Sequence, residues 1–335
     1  AFFGACVGLF GIGTFSQVNG ISSAVVGFFD PDKSFAVTIP GLGTYSWVVV
    51  IASLVLTFCV AAVIIGGVKR IASVSQVVVP FMAIIYFVFA LALVLFNIKE
   101  VPQAIVTIVQ AAFNPKAVTG GVVGSMLVAM QNGVARGIFS NEAGLGSAPI
   151  AAAAAQTKEP VRQGLVSMTG TFIDTIVICT LTGLSVVITG AWQVEGLEGV
   201  QVTTYAFQNG LPFSNQFCAA VLMICLVFFA FTTILGWDYY GERCLEYLTG
   251  KDEKKIKIYR WLYILAVFIG PYMTVAAVWT IADIFNGLMA LPNMIALFAL
   301  SGVVVKETKR FFEVYADQKM AKKKLSASIK DAAEN

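Results

Sequence analysis

The sequence predicts an all-α polytopic membrane protein, and three observations support that prediction. Hydrophobic residues make up 58% of the 335 residues, whereas charged residues make up only 12%, about half the share found in soluble domains. The apolar residues form continuous runs instead of alternating with polar ones, which favours helices over strands. Several runs reach the roughly 20 residues that a helix needs to cross a bilayer. This composition argues against a soluble enzyme, a nucleic-acid-binding protein and a disulfide-rich scaffold.

Eight apolar stretches are long enough to span a membrane, and short polar segments separate them. They lie near residues 1–29, 46–68, 72–97, 117–156, 164–192, 215–248, 260–281 and 283–305. We therefore expect a transmembrane domain over residues 1–305. A charged, helix-prone tail follows over 306–335, and we interpret it as a basic amphipathic helix near the membrane surface. Two outer connections, 101–113 and 200–210, are expected to form interfacial helices.

The distribution of basic residues predicts the orientation of these spans. Alternation of the loops places 18 of the 22 lysine and arginine residues on one side, with Lys33, Lys99 and Lys116 on the other and Arg136 inside a span. Cytoplasmic loops carry the excess of basic residues in membrane proteins. The C-terminus is therefore expected in the cytoplasm.

The chemistry available to the chain is limited by its composition. Histidine is absent from the sequence, which removes the commonest metal ligand and the usual general base. The six cysteines offer no clustered metal-binding spacing. We expect no transition-metal site, no organic cofactor and no catalytic residue.

The span at 117–156 breaks the rules for a lipid-facing helix most strongly. It contains Gly120, Gly121 and Gly124, and then the segment ARGIFSNEAGLGSAP at 135–149. Freed backbone groups at membrane depth are tolerated inside protein or beside a water-filled cavity. Two half-helices with a hinge would build such a site, and the alternative is two separate helices joined by a cytoplasmic loop. Arg136 and Glu142 are interpreted as a structural ion pair within this segment.

Polar residues in other spans are further candidates for a site. Gln17 interrupts the first apolar run, and Asp174 is an intramembrane carboxylate, which favours a functional role. Thr233 and Trp237 are four residues apart and share a helix face. They could face one cavity, or Thr233 could bond to its own helix while Trp237 anchors at the interface. Asp283 is expected at the outer interface, between two spans.

The segment 135–149 and two others resemble the alanine or glycine:cation symporter family, also called sodium:alanine symporters. The others are TGTFIDTIVICTLTGLSVVITGAW at 169–192 and FTTILGW…YYGE around 231–242. The resemblance covers the chain to about residue 310. It implies a LeuT-like inverted-repeat fold in which this chain holds core helices three to ten. Counting back from the broken span as the sixth core helix, we expect the first two core helices to be missing, and with them about half of the site. Residue 1 is alanine and the first methionine is Met82, so we expect the natural protein to be longer.

The resemblance also implies roles for individual residues. The substrate-binding residues would be Gln17, Phe139, Asn141, Gly144, Thr233 and Trp237. Thr232 and Thr233 would supply paired hydroxyl ligands to sodium, and Arg136, Glu142 and Asp174 would be structural or gating charges.

The function implied by the resemblance is sodium-coupled uptake of a small neutral amino acid, alanine or glycine, by alternating access. Proton coupling, or another amino acid or amine on the same fold, is the alternative within transport. An intramembrane enzyme or a channel is disfavoured, because the order of the spans gives no reason to bring Glu142 and Asp174 together. The expected location is the cell (inner) membrane of a prokaryote, and the expected partners are the amino acid, Na⁺ and lipids, with no nucleic acid.

Overall fold

The computed structural model describes residues 1–32, 34, 36–39, 43–113 and 121–334. Side chains are described at these positions apart from 39, 113, 121–126 and 316–334. Lys33, Lys116 and Gly120 therefore lie outside the described residues, and so do the side chains of the lysines beyond residue 315.

The described residues form thirteen α-helices and one β-hairpin. The helices are α1 Phe2–Phe10, α2 Phe15–Phe29, α3 Trp47–Ile64, α4 Val68–Phe96, α5 Val101–Phe113, α6 Gly121–Asn141, α7 Ala148–Ala152, α8 Pro160–Phe172, α9 Thr180–Ile188, α10 Val200–Gly210, α11 Asn215–Thr249, α12 Glu253–Ile269 and α13 Val275–Glu334. The strands are β1 Ala36–Ile39 and β2 Gly43–Ser46. A π-helical segment, Ile173–Cys179, joins α8 to α9, and 3₁₀ turns lie at Ala191–Gln193 and Gly270–Tyr272.

Within the described residues, six helical segments are long and apolar enough to cross a membrane. They are Phe2–Phe29, Trp47–Ile64, Val68–Phe96, Pro160–Ile188, Asn215–Thr249 and Val275–Tyr315. The all-α, polytopic prediction is therefore confirmed. The other two expected spans correspond to α6, which carries the polar break, and to α12, whose 17 residues rise only about 26 Å. The helices expected at 101–113 and 200–210 are present as α5 and α10.

The boundary between the last two expected spans was wrong. We expected it near residue 282, but α12 ends at Ile269 and α13 begins at Val275. Gly270 and Pro271 lie in the intervening 3₁₀ turn, because proline cannot donate the backbone bond that a continuing helix requires. Asp283 consequently lies within α13 and not in a loop. The same helix continues past residue 305 into the tail.

The hairpin was not expected, because its two strands have only four residues each and are too short to show an alternating pattern. β1 and β2 pair antiparallel, with Ala36 opposite Ser46 and Ile39 opposite Gly43. The Tyr45 hydroxyl donates to the Tyr272 carbonyl at 3.0 Å, which ties the hairpin to the turn before α13. Ser46 then caps α3 by accepting from the Val48 N–H.

Helix α11 is central to the packing of the molecule. It contacts α1, α2, α4, α10 and α12, and its buried residues include Ile234, Leu235 and Trp237. One apolar cluster joins Val18 of α2 and Val60 of α3 to Ile234 and to Tyr263 of α12. Because α11 is held from several sides, polar side chains on it are positioned rigidly against their neighbours.

Candidate functional site

The break in the fourth expected span lies between α6 and α7. Helix α6 ends at Asn141, and α7 begins at Ala148 and has only five residues. Glu142, Gly144 and Gly146 have φ of +55°, +83° and +89°, which end a right-handed helix. The predicted interruption is present, and its second helical piece is shorter than a half-span.

Two side chains fix the ends of this break to neighbouring segments. The Asn141 side-chain amide donates to Thr175 Oγ1 at 3.0 Å, and its carbonyl accepts from the Ala143 N–H at 2.9 Å. Asn293 of α13 donates to the Gly144 carbonyl at 2.9 Å. Asn141 and Gly144 therefore hold the break against the π-helical segment and α13.

Glu142 is the first residue of the break and is held by two donors. Trp237 Nε1 donates to its Oε1 at 3.0 Å, and Ser147 Oγ donates to its Oε2 at 2.5 Å. Trp237 is 1% exposed, so the interpretation of this indole as an interfacial anchor is wrong. The carboxylate instead connects the break to α11.

Arg136 does not pair with Glu142, as the sequence suggested, but with Asp283 of α13. Its two terminal nitrogens lie 3.0 and 2.9 Å from the two carboxylate oxygens, which is the bidentate geometry of a strong pair. Its guanidinium also lies 4.2 Å from the ring centroid of Trp279. The prediction was wrong because Asp283, expected at the outer interface between two spans, lies within α13 and reaches Arg136.

A cavity of about 500 Å³ lies beside the break. Seven of the predicted site residues line it: Gln17, Phe139, Glu142, Asp174, Thr232, Thr233 and Trp237. Asn141, Gly144 and Arg136 are not among its lining residues. Sequence reasoning missed other lining residues, namely Ile12, Ser75, Val79, Met82, Ser140, Phe229, Gly236 and Tyr240.

The two intramembrane carboxylates share this cavity, although the order of the spans gave no reason to expect it. Asp174 lies in the π-helical segment, and such segments often occur at functional sites. Ser140 of α6 donates to Asp174, with its hydroxyl 2.8 Å from Oδ2. In the sequence, only the polar side chain of Ser140, one turn after Arg136, could have indicated this contact with Asp174.

The hydroxyls of Thr232 and Thr233 are arranged as acceptors towards the cavity. Thr233 Oγ1 donates to the Phe229 carbonyl at 2.9 Å, and Thr232 Oγ1 lies 3.0 Å from the Phe228 and Phe229 carbonyls. Both alternatives for Thr233 therefore hold, since it bonds to its own helix and also lines the cavity. Each hydroxyl hydrogen is used within the helix, so oxygen lone pairs remain for a hard cation, which prefers oxygen ligands.

An amide and aromatic rings also line the cavity. The Gln17 amide nitrogen donates to the Ile12 carbonyl at 2.9 Å. Phe139 packs against Trp279 of α13 with ring centroids 4.7 Å apart, and Trp237 packs edge-on against Tyr240. The cavity thus combines carboxylates and hydroxyls with aromatic walls, an arrangement suited to a small polar ligand with a short apolar part.

The fold and this cavity define a polytopic α-helical membrane protein with a polar site beside a broken helix. Residues 2–327 match the model of the sodium:alanine symporter family. The chain belongs to that family, as the segment 135–149 predicted. The family is described as one of symporters.

Relatives with curated descriptions agree with this assignment. An uncharacterized transporter of Haemophilus influenzae is 52% identical over 314 residues, which are 93% of this chain and 64% of the relative. The sodium/alanine symporter AgcS of Methanococcus maripaludis is 46% identical over 317 residues, which are 94% of this chain and 64% of the relative. The probable sodium/glutamine symporter GlnT of Bacillus subtilis is 38% identical over 258 residues, which are 77% of this chain and 52% of the relative. The chain thus spans less than two thirds of the length of these relatives.

Proposed function

We propose that this chain carries part of the transport machinery of a sodium-coupled symporter that takes up a small neutral amino acid, alanine or glycine. The observation that supports the proposal best is the cavity beside the helix break, where hydroxyls, carboxylates and aromatic rings meet. Family membership supports sodium as the coupling ion. One relative is itself named a sodium/alanine symporter.

In this proposal the substrate lies between Gln17, Phe139, Thr233 and Trp237. The aromatic rings of Phe139 and Trp237 would limit the substrate to a short side chain, since both are fixed by neighbouring rings. Amide and carboxylate oxygens would accept from the substrate ammonium group. Asn141 and Gly144 act here by positioning the break, because their polar atoms bond to Thr175 and Asn293.

Sodium is proposed to bind at the hydroxyl oxygens of Thr232 and Thr233. These adjacent residues lie beside the substrate position, so each ligand would favour binding of the other, as reciprocal coupling requires. No organic cofactor is part of the proposal.

Proton coupling, or a different amino acid or amine on the same fold, is the second candidate. The presence of both Glu142 and Asp174 in the cavity lining favours it, because an intramembrane carboxylate can carry a proton. One relative is named a probable sodium/glutamine symporter. Glutamine, which is larger, is therefore the substrate to compare with alanine and glycine.

We also propose the architecture in which this site operates. Eight spans over residues 1–305 would form a LeuT-like inverted-repeat domain of a multi-pass cell-membrane protein. The C-terminus and the basic tail 306–335 would lie in the cytoplasm, where anionic lipids attract lysines. Alternating access would then move α6 and α7 relative to the helices around α11.

The proposal is tested by uptake into proteoliposomes containing the full-length protein. Radiolabelled alanine and glycine should accumulate when sodium is high outside, and potassium in place of sodium should abolish accumulation. Uptake that ignores sodium and follows a pH gradient would refute sodium coupling and favour the second candidate. Absence of saturable alanine or glycine uptake, with saturable glutamine uptake, would refute the substrate assignment.

A further inference from the structure

Asp238 follows the cavity-lining Trp237 in α11 but lies outside the cavity. It is 1% exposed, and among the described residues neither of its carboxylate oxygens has a hydrogen-bond partner. A buried carboxylate in this state carries a large free-energy penalty as a bare anion. We propose that Asp238 is a binding site for one singly charged cation, a sodium ion or a proton. This adds a second cation position to the proposed symport.

The charges around Asp238 leave its own charge unmatched. Asp238 interacts electrostatically with Glu242, one turn further along α11, and with Arg260 of α12. Arg260, however, binds both oxygens of Glu242, through Nε to Oε1 and through Nη2 to Oε2 at 2.9 Å. Arg243 is engaged with Glu246 at 2.6 Å. Three carboxylates thus face two guanidinium groups, and the excess negative charge lies on Asp238.

Two buried tyrosines of α12 complete the surroundings with oxygen atoms. Tyr259 and Tyr263 are both within the electrostatic range of Asp238. The Tyr259 hydroxyl donates to the Ala5 carbonyl at 2.9 Å, and the Tyr263 hydroxyl donates to the Ile234 carbonyl at 2.7 Å. Their hydrogens are therefore used elsewhere, while their oxygen lone pairs remain available to a hard cation.

The other titratable side chains on the elements packed here add no buried positive charge. Helix α1 carries Cys6, α2 carries none, and α11 also carries the cysteines and tyrosines at 218, 225, 239, 240, 244 and 247. The lysines of α12, at 254, 255 and 257, are exposed.

The close approach of α11 and α12 sets the size of the ligand. Ile234 and Glu242 lie one turn on either side of Asp238 and both contact α12, so Asp238 shares that face. A Cβ on Gly241 would lie 1.9 Å from the Tyr259 hydroxyl oxygen. Helices packed this closely admit a bare ion and exclude the ammonium group of an amino acid with its attached carbon atoms.

The site is tested by thermal unfolding of the purified full-length protein in detergent, which requires no transport activity. The Tm is measured in sodium chloride against choline chloride, from neutral to alkaline pH, because a ligand that binds only the folded state raises the Tm. Asp238→Asn is compared with Thr232→Val, which removes one of the two hydroxyl ligands of the other proposed cation position. Asp32→Asn, at an exposed position, is the matched control.

Each outcome either distinguishes sodium from a proton as the ligand of Asp238 or contradicts the proposed site. A sodium-specific rise in Tm that persists in Thr232→Val and Asp32→Asn, and is lost in Asp238→Asn, identifies sodium. A fall in Tm at alkaline pH that is lost only in Asp238→Asn identifies a proton. If the Tm of the Asp238→Asn protein responds to sodium and to alkaline pH as the wild type does, the proposal is contradicted. If that variant does not fold, a Thr232→Val protein that responds to neither sodium nor alkaline pH contradicts it equally. Failure of the uptake assay would refute the proposed function without altering these results.

Discussion

The indole nitrogen of Trp237 donates to Glu142 Oε1 at 3.0 Å and thereby joins α11 to the break after α6. The two residues are 95 positions apart in the chain. Ser147 holds the other oxygen of Glu142, so both oxygens of this carboxylate are engaged. Because Glu142 has a positive φ, the contact also stabilises a backbone conformation that glutamate rarely adopts.

Replacing Trp237 with phenylalanine removes this donor and keeps an aromatic wall in the cavity. A hydrogen bond to a charged group is worth about 1.5–3 kcal/mol, so we expect a lower Tm. Alanine should also bind more weakly, because Glu142 loses a donor that holds it beside the cavity. Affinity is measured by equilibrium binding of radiolabelled alanine, and Tm by thermal unfolding. Trp192→Phe is the control, because Trp192 is 54% exposed. Equal alanine affinity in both variants would show that the hydrogen bond from Trp237 to Glu142 is not needed for alanine binding.

The pair between Arg136 and Asp283 connects α6 to α13 and is half-exposed, with side-chain exposures of 40% and 43%. We expect a coupling energy of about 1 kcal/mol from a double-mutant cycle with Arg136→Gln and Asp283→Asn, in the upper range for exposed pairs. The Tm of the four proteins supplies the cycle. Additive effects of the two substitutions would show that the pair contributes no stability.

Orientation is tested with cysteines introduced at exposed positions. Asp32→Cys should react with a membrane-impermeant maleimide added to intact cells, whereas Glu253→Cys should react only after permeabilisation, because basic loops face the cytoplasm. Both positions are exposed, and the exposed native Cys59 and Cys179 are first replaced with serine. The opposite labelling pattern would invert the proposed topology.

The features that the sequence predicted were those set by local composition. Apolar runs identified the spanning helices, and the polar, glycine-rich segment after Arg136 identified the break, because both depend on neighbouring residues in the chain. Partners across helices could not be predicted in this way. Asp283 lies 147 positions from Arg136, and the meeting of Glu142 with Asp174 depends on how the helices pack. Family resemblance predicted the cavity residues Gln17 and Thr233, and it did not distinguish Asn141 as a residue that holds the break.

Gly144 and Gly146, the two glycines of the break, differ in their surroundings. Gly144 and Gly146 both have positive φ, so alanine at either costs about 1–2 kcal/mol of backbone strain. A Cβ at Gly144 meets no described atom within 4 Å, whereas one at Gly146 lies 3.0 Å from Cγ and Oδ1 of Asn293. Displacing Asn293 would also weaken its bond to the Gly144 carbonyl. We therefore expect Gly146→Ala to lower the Tm more than Gly144→Ala, since it adds steric crowding of roughly 1–3 kcal/mol. Thermal unfolding of the two variants decides the point. If Gly144→Ala is equally damaging, the contact with Asn293 does not hold the break.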